Sequence, residues 1–273
     1  MTQILSICNH KGGVGKSTTT YHLARGAVRR GLSVLVIDAD PQGNVSTTLA
    51  KDALAADQAG LADVLYGLLD SQRHPEDAPA LEDVAWDGIW DGLTLIPTVG
   101  EALSFVANQL VVEGAGRESK LREALEAMDR AYDLVLIDCP PSLDQLTLNA
   151  LTASDGVVII THARLWSVDG MDRLLKTIEK VRKAYNPALQ IRGVLVNAYE
   201  KNQVGTRHWA RQLEDEMTRR ELPLLSAQVP KRVVIADTVE SSQGLDEAGA
   251  GADTTDLVQI YDRVLTDLIG ASK

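Results

Sequence analysis

The sequence predicts an α/β fold, a mainly parallel twisted sheet flanked by helices. Short Val/Ile/Leu runs alternate with longer helical stretches, and the first run feeds a glycine-rich loop that opens a helix. A length of 273 residues with 45% hydrophobic composition suffices for one large core. The strand-length runs are 4–8, 33–38, 93–97, 134–138, 157–161, 191–197 and 224–229. Their continuous apolar character suits strands covered on both faces. Residues 18–30, 119–130, 168–185 and 206–221 read as helices, with Pro187 and Pro223 just past two of their ends. The Asp- and Ala-rich stretch at about 51–92 carries Trp86 and Trp90 but no strong strand signal, and is expected as an acidic insertion of short helices and loops. Leu257, Ile260, Tyr261, Val264, Leu265 and Leu268 follow helical spacing and predict a docked C-terminal helix at 254–269. All of this is expected within a single domain, 1–273.

Composition narrows the function classes. No run of about 18 apolar residues occurs, and Met1-Thr2-Gln3 leads straight into the first strand without a basic flank, so a cytoplasmic protein is expected. Cys8 and Cys139 each lie in an apolar stretch, which suits buried structural thiols and offers neither a disulfide framework nor a metal-ligand spacing. A net charge of −11 argues against a protein whose whole surface coats nucleic acid. The charge is uneven, however. Residues 164–232 hold 14 Lys/Arg against 8 Asp/Glu, a net of +6 that leaves −17 elsewhere.

The loop after the first strand reads Lys11-Gly12-Gly13-Val14-Gly15-Lys16-Ser17-Thr18. A strand, a glycine-rich loop and a helix in that order are the context of a phosphate-binding P-loop: glycines let backbone N–H groups converge on phosphate oxygens, and the helix start adds partial positive charge. Lys16 is then the cation for the β- and γ-phosphates and Ser17 the hydroxyl for Mg²⁺. The strict motif fails at its first residue, where His10 stands in place of glycine.

That deviation, with the additional Lys11, resembles the deviant Walker A motif of the ParA/MinD family of P-loop ATPases. Three further blocks agree: Asp38-Ala39-Asp40-Pro41-Gln42-Gly43-Asn44, then Asp138-Cys139-Pro140-Pro141-Ser142 with Leu146-Thr147-Leu148-Asn149-Ala150-Leu151, and Val229-Pro230-Lys231. The resemblance runs from Ile4 to about Gly244. It implies a P-loop NTPase fold and ATP with Mg²⁺ as cofactors, bound by Gly12, Gly13, Val14, Gly15, Lys16, Ser17 and Thr18. It implies a homodimer held by ATP, with Lys11 reaching the partner's phosphates much as an arginine finger does. By the same resemblance Asp40 orients the attacking water, Asp38 lies near the magnesium shell, Asp138 acts as a Walker B carboxylate, and Asn197 and Pro230 contact adenine. Taken alone, Asp38 and Asp40 also suit turn or capping positions, and Asn197 and Pro230 ordinary turn chemistry.

In the basic quarter, Lys201, Arg207, Arg211, Arg219, Arg220, Lys231 and Arg232 suit non-specific contact with a phosphate backbone. A solvated helix face accounts for them equally, since Arg211 has Glu214 and Asp215 at helical spacing. The resemblance to partition ATPases favours DNA, with Arg207, Arg211, Arg219, Arg220, Lys231 and Arg232 as contacts. Membrane binding is not expected, because the C-terminal helix carries Asp253, Asp256, Asp262 and Asp267 against Arg263. Residues 161–171 lack the Pro-x-x-x-Glu character of many partition ATPases, which leaves cargo and adaptor open, and no separate DNA-binding domain is expected before the P-loop. The function expected is a nucleoid-associated ATPase, stimulated by a ParB-like partner, that positions a plasmid, chromosome or protein cargo. The alternative is a nucleotide-dependent adaptor that does not bind DNA.

Overall fold

The computed structural model describes residues 2–69, 78–162, 167–200, 204–249 and 251–270, with the backbone alone at 167–170, 204–208 and 252. The strands are β1 (Gln3–Cys8), β2 (Val34–Asp38), β3 (Trp86–Asp87), β4 (Leu93–Ile96), β5 (Leu134–Asp138), β6 (Gly156–His162) and β7 (Gln190–Asn197). They form one sheet in the order β3-β4-β2-β5-β1-β6-β7. Every neighbouring pair is parallel except β3 with β4. The helices are α1 (Lys16–Arg29), α2 (Asn44–Leu49), α3 (Leu61–Leu69), α4 (Ala102–Val112), α5 (Lys120–Glu126), α6 (Gln145–Ala153), α7 (Ser167–Ala184), α8 (Val204–Arg219), α9 (Val233–Glu240) and α10 (Ala252–Ile269).

Alternating residues of the central strands feed two cores. Val135 and Ile137 of β5 join a cluster with α3 to α8, whereas Leu134 and Leu136 point to the opposite face, covered by α1, α9 and α10. Both faces are dry, which is why the strand sequences read as unbroken apolar runs. In α10, Leu257, Tyr261, Val264, Leu265 and Leu268 are buried. The apolar stripe of this helix is therefore spent on the core, and no helix among the described residues is long and apolar enough to cross a membrane. Cys8 and Cys139 are both buried and free, and burial pushes the Cys139 thiol up, so it is an inert structural group.

Two sequence expectations change. The run 224–229 is not a strand of the sheet. It follows the outer edge of β7 through single bridges, Val194 to Leu224 and Tyr199 to Pro230. Prolines 223 and 230 bound the segment and cannot donate to a ladder, and the Leu225 side chain fills the space where a Cβ on Gly193 would stand. The acidic insertion does contain a strand, β3, whose Trp86 pairs with Leu95. Two residues are too few for an alternation to register in the sequence.

On the inner face of α1, His22 is 3% exposed, its Nε2 lies 3.2 Å from the Ile235 carbonyl oxygen, and its ring tilts against Tyr261 at 4.7 Å between centroids. Burial pushes its pKa down to about 4, only partly opposed by the Ile235 bond and the nearby Asp246. A depressed base favours the fold above its unfolded pKa of about 6.5 and loses that contribution as pH falls towards 4, a swing of about 3 kcal/mol. Between pH 7.5 and pH 4 the raised carboxyls of Asp38 and Asp138 titrate in the opposite sense, so the His22 contribution is read as a difference between parent and variant. In urea unfolding the stability of the parent relative to His22→Phe should fall by about 3 kcal/mol from pH 7.5 to pH 4, and a difference independent of pH would remove His22 as the cause.

Candidate active site

The C-terminal ends of β1, β2 and β5 meet where the strand order allows a crevice, the usual ligand position in an open parallel sheet. β1 runs into the glycine loop, where Gly13 (φ 70°) and Gly15 (φ 87°) take left-handed backbone that other residues adopt only with strain. Asn9 braces the loop from behind. Its Oδ1 accepts the Lys11 amide at 2.8 Å, and its Nδ2 donates to the Ile160 carbonyl. From β7, the Asn197 Nδ2 donates to the Val14 carbonyl at 2.7 Å, and a Cβ on Gly15 would collide with that same amide. α1 then begins at Lys16 with no side-chain cap, so its first amides face the cleft uncommitted.

Two carboxylates sit side by side at the strand ends, since Asp38 and Asp138 are register partners of β2 and β5 and both are fully buried. Asp38 accepts the Ser46 amide at 2.8 Å and the Ser46 hydroxyl at 2.7 Å. Asp138 accepts Ser17 Oγ at 2.6 Å and Thr20 Oγ1 at 3.1 Å. Burial, then the proximity of Asp138, pushes Asp38 up to about 8. Burial likewise raises Asp138 to about 6, held back by Ser17, Lys16 and Thr20. Lys16 offsets only part of the charge of this pair, and a hydroxyl–carboxylate donor set of this kind suits a hard divalent cation carried in with phosphate oxygens. Among the described residues no group of three or more His, Cys, Asp or Glu side chains converges on a metal position, so protein ligands alone do not complete a coordination shell.

The cleft is open, with a volume of about 460 Å³, and is lined by Gly12, Gly13, Gly15, Lys16, Ser17 and Thr18 of the loop and by Asp40, Gln42 and Asn44 after β2. Asp40 is 6% exposed and hydrogen-bonds through its own amide to Asp38 at 3.2 Å. Lys11 is half-buried and outside this lining, as are Asn197 and Pro230. Sequence reasoning did not find Thr20, Ser46, Val239 or Glu240, the last two supplied to the cleft wall by α9. A helical offset of three from Ser17 marks Thr20, but nothing in the sequence brings α9 across from more than two hundred residues away.

The basic residues are dispersed. Arg219 and Arg220 both bond to Glu216, and Arg220 also reaches Asp172 of α7. Lys231 lies 3.4 Å from Glu200, Arg211 and Arg232 are exposed, and Lys201 and the Arg207 side chain lie outside the described residues.

A parallel sheet with a glycine loop, an uncapped helix start, a lysine and a serine bonded to a buried strand-end aspartate defines a P-loop nucleotide-binding protein. Residues 2–191 match the family described as AAA domain. The chain is 41% identical over 201 residues to the chromosome partitioning protein ParA of Caulobacter vibrioides, covering 73% of this chain and 70% of that protein. It is 40% identical over 197 residues to the chromosome-partitioning ATPase Soj of Thermus thermophilus, covering 72% and 69% respectively. The cobyrinic acid a,c-diamide synthase of Mycobacterium smegmatis, solved with an ATP analogue and magnesium, superposes with a TM-score of 0.74 at 30% identity over 88% of this chain and 93% of that one. McdA of Cyanothece shares the fold, with a TM-score of 0.83 at 19% identity over 100% and 98%. The chain belongs to the ParA family of P-loop ATPases and is of the partition type.

Gly15→Ala should cost about 2 kcal/mol or more, combining left-handed strain with the clash against Asn197. Asn197→Ala relieves the clash and leaves the strain, so the two changes should be non-additive by roughly 1 kcal/mol in urea unfolding. Additive losses would show that the two side chains do not meet.

Proposed function

We propose that the chain binds ATP with Mg²⁺ in this cradle, hydrolyses it slowly, and switches between a monomer and an ATP-held homodimer that grips DNA without sequence preference. The observation that carries the reading is the Ser17–Asp138 hydrogen bond of 2.6 Å beside Lys16, at the start of an uncapped helix. The amides of Gly12 to Thr18 wrap the phosphates and Lys16 draws charge from the β- and γ-phosphates. Ser17, Asp38 and Asp138 hold the magnesium and its waters. Mg²⁺, when bound, offsets phosphate charge and the carboxylate charge that burial disfavours. Asp40, in the cleft lining, orients the attacking water. Lys11 serves the partner subunit's phosphates, a reading supported by its position outside its own cleft lining. Asn197 and Pro230, near the end of β7, are assigned to the adenine.

The relatives' names support a role in partitioning. On this reading a nucleoid-bound, cytoplasmic dimer carries a plasmid, chromosome or protein cargo, and a ParB-like partner stimulates hydrolysis and release. A second reading, a nucleotide-dependent adaptor without DNA affinity, is favoured by the net charge of −11 and by the pairing of Arg219 and Arg220 with acidic neighbours.

Size-exclusion chromatography with ATP tests the switch. Lys11→Ala should abolish the dimer, whereas Asp40→Ala should accumulate it and slow turnover by about 100-fold or more. Parental behaviour of both variants would sink the proposal. Filter binding of random duplex DNA with ATP across a salt series separates the two readings, since the adaptor retains no DNA at any salt concentration.

A further inference from the structure

Among the described cations of the basic quarter, Arg219 and Arg220 at the end of α8 are paired with acidic side chains, whereas those exposed on α7 are not. Arg173, Lys176, Lys180 and Lys183 are spaced by three, four and three residues, which puts them on one stripe of the helix. All four are exposed, and none takes part in an ion pair among the described residues. The opposite stripe, Met171, Leu174, Ile178 and Val181, is buried in the core. The cationic stripe is thus anchored by a rigid helix rather than carried on a loop. Ten residues of helix set its ends about 15 Å apart, enough to follow two or three consecutive phosphates of a strand.

On α8, by contrast, Glu214, Asp215 and Glu216 stand among Arg211, Arg219 and Arg220, and the Glu216 carboxylate takes up two of those guanidinium groups. Arg220 is further tied to Asp172, at the start of α7. The chain carries −11 overall, so a polyanion approaches only where local positive charge is concentrated and unpaired. Among the described residues that place is the outer face of α7.

We propose that the α7 stripe Arg173, Lys176, Lys180 and Lys183 is the principal phosphate-backbone contact for duplex DNA, in preference to Arg211 and Arg219 of α8 and the adjoining Arg220. The inference rests on the DNA-binding reading above and specifies its surface. An anionic bilayer is a poorer fit, because membrane-lying helices interleave their cations with large apolar side chains and this stripe has none. Glu179, exposed at the flank of the stripe, is the one acidic residue between Arg173 and Lys183 and weakens the local field.

The test is filter binding of random duplex DNA with ATP, repeated from low to moderate salt. Lys176→Ala/Lys180→Ala/Lys183→Ala should weaken binding by about 10-fold or more and reduce the slope of log K against log salt by roughly 2 to 3 units. Arg219→Ala should change affinity less than about 2-fold. Alanine maintains the helix and the buried face is untouched, so unfolding and basal ATPase should match the parent. Glu179→Lys supplies a gain that misfolding cannot mimic, with tighter binding and a slope steeper by roughly 1. If the parent binds DNA and the triple variant binds equally well, or Arg219→Ala is the more damaging, the stripe is overturned while the DNA reading stands. If the parent itself retains no DNA, both fall. Binding of phosphatidylglycerol vesicles by the parent, lost in the triple variant while DNA binding persists, would assign the stripe to a membrane and overturn it as a DNA surface.

Discussion

Two buried carboxylates on adjacent strands, Asp38 and Asp138, are the constraint around which the rest is arranged. Parallel neighbours in register stand about 5 Å apart, so two negative charges there repel each other in a dry environment. The chain surrounds them with short hydroxyl donors: Ser46 on one side, Ser17 and Thr20 on the other. Those donors come from the first turns of α1 and α2, so the same bonds that quiet the acids fix how both helices leave the strand ends. Thr98 completes the frame by bonding the Asp38 carbonyl at 2.6 Å and passing its own amide to Ser46 at 2.7 Å. The Ser17 hydrogen bond, then the nearby Lys16 and the Thr20 hydroxyl, hold Asp138 down, whereas the charge of Asp138 adds to the burial that raises Asp38, so Asp138 is the less elevated of the two.

The parts of this arrangement with short-range signatures were legible in the sequence. The glycine loop with Lys16 and Ser17, and the aspartates that close β2 and β5, lie at the ends of strongly apolar runs, and the fold brings Ser17 onto Asp138 beside Asp38. Helices with weaker signatures were missed. α2 is six residues of mediocre helix formers, NVSTTL, nucleated by a left-handed Gly43 and by Ser46 bonding to Asp38. α6 is buried almost all round, so it shows no amphipathic period. Its start is marked only by Asp144, which accepts the amides of Leu146 and Thr147. Tertiary context, not local preference, forms both.

Charge was harder still to read. A count along the chain identifies a basic quarter but not which of its cations have partners, because pairing depends on side chains that the fold brings together. Arg220 finds Asp172 across 48 residues, while Lys176 and Lys180 find no acidic partner among the described residues. The family match ends at residue 191, yet α9 and α10 beyond it supply part of the cleft wall and much of the core under α1. Likeness to relatives therefore speaks most directly to the cradle.

The way the sheet ends has a consequence for self-association. On one side it closes with the two-residue β3; on the other, Val194, Val196 and Tyr199 are already engaged with the irregular segment from Pro223 to Lys231. Neither border offers a free run of main-chain donors and acceptors long enough to template a neighbour. Among the described residues, an association between two copies of this chain would therefore rest on side chains rather than on a continuous intermolecular sheet.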